Sequence, residues 1–125
     1  MLAACVTVAQ QSFLPDANAG RLTPDEWRER ATALLTAECP RLMGSGNSAL
    51  GEAEFTVVLG PGGNVSEAIL VRPSPDERID TMFGGLAAQL VFAGAGTGGD
   101  RAPVIAGYSC APNISVATLE LNVTR

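Results

Sequence analysis

Along Glu54-Phe-Thr-Val-Val-Leu59 apolar and polar positions alternate, so Phe55, Val57 and Leu59 share one side of an extended chain. Gly60-Pro-Gly-Gly-Asn64 follows as a turn, and Val65 to Arg72 returns with Val65, Ile69 and Val71 on one face. The two runs predict a β-hairpin. Upstream, the period changes. Trp27, Ala31, Leu34 and Leu35 fall on one helical face, introduced by Thr23-Pro24-Asp25-Glu26 and closed by Pro40. Thr23 is placed to cap this helix, Pro24 fits its first position, and Glu26 completes a capping box, with Leu22 and Trp27 set for a hydrophobic staple. Residues 41–52 read as a loop. A second box, Ser74-Pro75-Asp76-Glu77, opens a helix bearing Ile79, Met82, Phe83, Leu86 and Leu90 and interrupted by Gly84-Gly85. Gly94 to Gly99 reads as a loop. Val104 to Tyr108 and Ile114 to Val123 then form a last antiparallel pair about Ala111-Pro112-Asn113. TPDEWR and SPDERI share capping chemistry, and the segments after them do not resemble each other, so no repeat is implied. The expected fold is α+β, a two-layer sandwich of order α-β-β-α-β-β with both helices packed on a small antiparallel sheet.

Before the first helix the pattern breaks down. In residues 6–21, Pro15, Asn18 and Gly20 interrupt every apolar run, which predicts a leader and linker arm over 1–21 and one domain over 22–125. The chain opens Leu2-Ala3-Ala4-Cys5, the form of a bacterial lipoprotein box, with Cys5 as the lipid attachment site. A signal needs a charged start and an apolar run before such a box, so Met1 is expected to be a truncated or misassigned start.

Charge and composition narrow the function. The net charge is −5, from 13 acidic residues against 8 arginines, with no lysine and no histidine. Such a chain lacks the basic footprint of a nucleic-acid binder, and an anionic membrane surface would repel it. Membrane contact is expected only through a lipid on Cys5 or through a partner subunit, since no apolar run approaches the ~18–20 residues of a spanning helix. Without histidine there is no Ser-His or Cys-His nucleophile and no imidazole ligand, and no cofactor or metal site is expected. Gly94-Ala-Gly-Thr-Gly-Gly99 matches G-x-G-x-x-G, but Asp100-Arg-Ala-Pro103 and a strand-like run follow it where a dinucleotide site needs a helix. Asp25, Glu26, Asp76 and Glu77 are first-turn helix charges, and Glu52, Glu54 and Glu67 read as solvent-facing. The sequons at Asn64, Asn113 and Asn122 matter only in a glycosylating host. Cys39 ends the first helix and Cys110 lies late in a strand. In an oxidising compartment they would pair, and in a reducing one they would be two buried thiols.

Ala53-Glu-Phe-Thr-Val-Val-Leu-Gly-Pro-Gly-Gly-Asn-Val-Ser-Glu-Ala-Ile-Leu-Val-Arg-Pro-Ser74, with a helix ending Leu90-Val-Phe92, resembles the C-terminal domain of TonB-like energy transducers. The resemblance covers roughly residues 50–92. Cys39-Pro40 stands where that family has Tyr-Pro, Leu90-Val91-Phe92 where it has a Trp-basic-aromatic end, and the sequence shows neither the membrane helix nor the Pro-rich spacer of a transducer, so the resemblance implies a periplasmic fold and not energy transduction. It also implies strand addition at a sheet edge, with Ile114, Val116, Thr118, Leu119 and Leu121 as the partner strand. The function expected is a non-enzymatic protein-interaction module on the periplasmic side of a bacterial envelope, lipid-anchored or docked on a membrane complex. The alternatives are an accessory structural subunit of such a complex, and a small enzyme or ligand-binding domain using carboxylates.

Overall fold

The computed structural model describes residues 11–92 and 97–121. The order is β1 (Ser12–Phe13), α1 (Pro24–Met43), β2 (Ala49–Pro61), β3 (Val65–Arg72), α2 (Glu77–Ala87), β4 (Thr97–Ala111) and β5 (Ile114–Leu121). This is an α+β fold of two helices and one antiparallel five-stranded sheet, ordered β1-β3-β2-β4-β5. The expected order α-β-β-α-β-β gains a strand at its start.

The first helix begins as the sequence dictates. Thr23 Oγ1 accepts the Glu26 amide at 3.2 Å and Glu26 Oε1 accepts the Thr23 amide at 2.9 Å. Trp27, Ala31, Leu35 and Cys39 turn inward, whereas Leu34 stays 40% exposed. The helix does not stop at Pro40 but runs one turn further. A proline there forfeits one helical hydrogen bond. Cys39, bonded to β4, and Arg41, paired with Glu38 and Asp76, hold the extra turn in place.

The hairpin β2–β3 turns at Gly62 and Gly63, both at positive φ. Its register slips between Val58 and Leu59, which pair with Glu67 and Val65. One residue of slip exchanges the faces. Val65 and Ala68 are therefore buried together, and Val71, expected beside Val65, is exposed. α2 starts two residues later than the box suggests. Asp76 is its cap, accepting the Ile79 amide at 3.0 Å, while Ser74 Oγ accepts the Asp76 amide. Leu90 lies past the helix end, in a bridge to Leu22.

β2 takes in Ala49–Ala53, predicted as loop, because β4 is fifteen residues long and pairs with it as far as Ala49–Cys110. Gly51 is required there: a Cβ would fall 2.6 Å from Tyr108 Cζ. Trp27 of α1, Phe83 of α2 and Tyr108 of β4 meet edge to face, at centroid distances of 5.1 and 6.3 Å. Trp27 and Phe83 belong to one buried cluster with Phe55, Val57, Val104 and Ala106 of the sheet.

The arm from Gln11 to Arg21 is bound to this domain rather than free. β1 pairs with Ile69 and Ala68, and the Leu70 amide donates to the Gln11 carbonyl. The Phe13 ring lies against Gly84, where a Cβ would come within 2.6 Å of its Cζ, and meets Phe55 edge to face. Buried Gln89 clamps the rest. Its Oε1 accepts the Asp16 amide and its Nε2 donates to the carbonyls of Asp16, Ala19 and Gly20. Residues 1–10 lie outside the described part.

Candidate functional site

Residues alternating with the core positions of β2, β4 and β5 face away from it, and the register aligns them in rows. Leu50, Ser109 and Val116 make one row; Glu52, Gly107 and Thr118 the next; Glu54, Ile105 and Glu120 the third. Ile114, opposite Ala111, extends the first row at the hairpin end. Leu50 is 73% exposed, Ile114 61% and Val116 43%. Three large apolar side chains therefore stand in water at one end of the sheet. Burying them would favour association, whereas scattered single exposures would carry no such meaning.

The centre of the face is a trough. Gly107 leaves it without a side chain, and a Cβ there would lie 2.8 Å from Thr118 Oγ1. A cleft of about 310 Å³ opens over Leu50, Glu52, Gly107, Ser109 and Thr118. Arg72, more than half exposed, lies 3.9 Å from Glu52 and 3.5 Å from Glu54. Pairs of this kind in water contribute at most about 1 kcal/mol.

The residues expected to form a partner edge divide. Ile114, Val116 and Thr118 project on the open face, whereas Leu119 is buried at 5% exposure. Leu121 ends β5 opposite Val104. The outer edge of β5 is partly occupied by α1. Thr32 Oγ1 accepts the Ala117 amide at 3.0 Å, and Arg28 Nη2 donates to the Leu119 carbonyl at 3.3 Å. Thr36 and Ser115 hydroxyls are 2.6 Å apart. A strand added at this edge would have to displace these side chains. Sequence reasoning missed Leu50 because residues 41–52 read as loop, and missed Gly107 because the partner across from it in β2 lay in that loop. The signal lay in Leu50-x-Glu52-x-Glu54, a polar phase opposite to Phe55.

Cys39 and Cys110 are joined, Sγ to Sγ at 2.08 Å and Cα to Cα at 5.6 Å, tying the last turn of α1 to β4. Beside them lies a charged cluster. Arg41 forks onto Asp76 at 2.8 and 3.1 Å and reaches Glu38 at 3.0 Å. The guanidinium holds the Asp76 carboxyl below the ordinary carboxylate range. Asp80, 2% exposed, accepts the Ser74 amide on both oxygens at 3.1 Å. Burial raises its pKa despite that bond, and burial raises the Tyr108 phenol too. Both aspartates are engaged in holding the β3–α2 loop, Asp76 as helix cap and Asp80 on Ser74. Among the described residues no group of three or more His, Cys, Asp or Glu side chains could hold a metal ion.

Cys5, the expected lipid site, and Asn122 lie outside the described residues. So do Gly94 and Gly96 of the G-x-G-x-x-G run, whose end, Thr97 to Gly99, belongs to β4. No described helix is long and apolar enough to cross a membrane. The chain matches no protein-family model, no curated protein and no solved structure.

Proposed function

We propose that this is a non-enzymatic protein-interaction module of a bacterial envelope, on the periplasmic side, in which a two-layer sandwich presents its uncovered sheet face to a protein partner. The observation that carries the reading is the exposed apolar row of Leu50, Val116 and Ile114 beside the Gly107 trough. The face is favoured over the β5 edge because α1 side chains already bond the Ala117 amide and the Leu119 carbonyl. The oxidising compartment is supported by the Cys39–Cys110 pair and by the Leu2-Ala3-Ala4-Cys5 box, with a diacylglycerol on Cys5 or a partner subunit as the membrane tether. The TonB-like resemblance concerns the β2–β3–α2 unit, although α2 ends at Ala87 and not at Phe92. The accessory-subunit reading uses the same face and differs only in the permanence of the contact.

The test is site-specific photo-crosslinking in the native cell, with a photoreactive residue in place of Val116 or, as control, of exposed Ala37 on α1. A discrete protein adduct from position 116 and none from 37 is the expected result. Adducts from 37 alone, or from neither, would sink the proposal. Intact mass of membrane-purified protein checks the tether: a terminus at Cys5 with a diacylglycerol-sized addition is expected.

A further inference from the structure

The open face is not uniform along β4, and its gradient indicates what binds. Leu50, Glu52 and Glu54 on β2 and Val116, Thr118 and Glu120 on β5 flank β4 row by row, and the cleft itself opens over Leu50, Glu52, Gly107, Ser109 and Thr118. Between them stand Ser109, Gly107 and Ile105 of β4, of which Gly107 alone brings no side chain. Going from the hairpin end inward, the walls change from aliphatic to acidic. Among the described residues of these rows, Glu52 and Glu54 share one arginine, Arg72, at 3.9 and 3.5 Å. Arg101 stands two rows beyond Glu54, opposite Val58. A partner that fills this trough must therefore supply positive charge at one end and an apolar group at the other.

Width and spacing restrict it further. The walls are two strand spacings apart, roughly 9–10 Å. That width is open only over Gly107, a gap that takes a single extended backbone but not a helix, which is about 10–12 Å across with its side chains. Along the trough, neighbouring rows are roughly 7 Å apart, which is the separation of residues i and i+2 in an extended segment. An aliphatic side chain seated between Leu50 and Val116 thus places the residue two positions on beside Glu52. The residue four positions on lies over Ile105, flanked by Glu54 and Glu120.

We infer that the occupant of this trough is an extended segment of a partner protein bearing an aliphatic residue and, two to four positions on, an arginine or lysine. The inference rests on the open face being the recognition surface and adds the chemistry of what it recognises. A phosphate-rich or acidic ligand is disfavoured by the same walls.

A random-peptide display library selected on the purified protein provides the test, with binders mapped by amide shifts of the labelled domain. Selected peptides should carry the aliphatic-then-basic spacing and shift the Gly107 and Thr118 amides. They should weaken about tenfold against E54Q/E120Q, which removes two charges without changing side-chain shape. Peptides that shift those amides but lack a basic residue, or bind E54Q/E120Q as tightly, would overturn the charge assignment and leave the face as recognition surface. A Val116 cross-link in the cell with no peptide selected on the face would likewise overturn the inference alone. Absence of both would end the recognition reading as well.

Discussion

Breaking the bond between Cys39 and Cys110 is the sharpest perturbation available. The two residues are 71 positions apart, so the bond closes most of the domain into one loop. In the chain-entropy treatment a loop of that size lowers the entropy of the unfolded chain enough to stabilise the native state by about 4 kcal/mol at 25 °C. Lost packing on reduction should add little to this. Cys110 is fully buried and Cys39 5% exposed, and the two thiols, once separated to van der Waals contact, would remain buried as small apolar groups. For a domain of this length the loss corresponds to about 15 °C in Tm. It corresponds to roughly 2–3 M in the urea midpoint at a typical m-value. The assay is urea unfolding of a C5A protein, oxidised and after reduction under denaturing conditions, with a C39A/C110A variant alongside. Thiol titration of the oxidised, denatured C5A protein should find no free thiol. Coincident oxidised and reduced midpoints would refute the cross-link account, as would two titratable thiols. A C39A/C110A variant much less stable than the reduced protein would show that packing of the sulfurs carries the effect.

Other expectations follow from single contacts. Gly84→Ala puts a Cβ into the Phe13 ring while improving the propensity of α2 by up to about 1 kcal/mol. The arm should detach with the core intact, and hydrogen exchange at the Leu70 amide, now bonded to Gln11, should accelerate; unchanged protection would refute the seat. Asp80 binds its proton more tightly folded than unfolded, so its contribution to stability is greatest in acid and falls as pH rises above the ordinary carboxylate range. Asp80→Asn should therefore gain stability relative to the native chain as pH climbs from 4 to 8, read from urea midpoints, and a constant difference would contradict this. Asp76, with its pKa lowered by Arg41, contributes in the opposite sense, its share present at neutral pH and lost in acid. Thr32→Val should cost about 1 kcal/mol by orphaning the Ala117 amide. Combined with Arg28→Ala it should promote edge-to-edge association in sedimentation; a monomer of native stability would count against the edge account.

What sequence reasoning could see was local. The capping box at Thr23, the Trp27 face and the β2–β3 hairpin each follow from contacts within a few residues. What it could not see was imposed from far away. Gly51 reads as a loop residue until Tyr108, 57 positions on, is known to lie across it. Pro40 reads as a stop until Cys110 and Asp76 hold the turn beyond it. The bulge at Val58 exchanges the faces of Ile69 and Ala68 without any mark in composition. The candidate face suffered most, because its apolar end lies in strand that only the length of β4 reveals. The arm was hidden for a similar reason: two paired residues, one ring and one glutamine hold it, and none of these forms a pattern.

The arm and the Cys39–Cys110 bond together set how the chain would respond to tension. Among the described residues, a pull from the N-terminal side reaches Gln11 first. It meets a two-residue strand and the Gln89 clamp, contacts small enough to yield before the core is loaded. Release would pay out eleven residues, Gln11 to Arg21, or roughly 35–40 Å of slack. Further extension would have to unwind α1, and there it would stop, because from Cys39 to Cys110 the chain is a closed covalent ring. The domain is thus built as a short elastic leash on a body that cannot be drawn out.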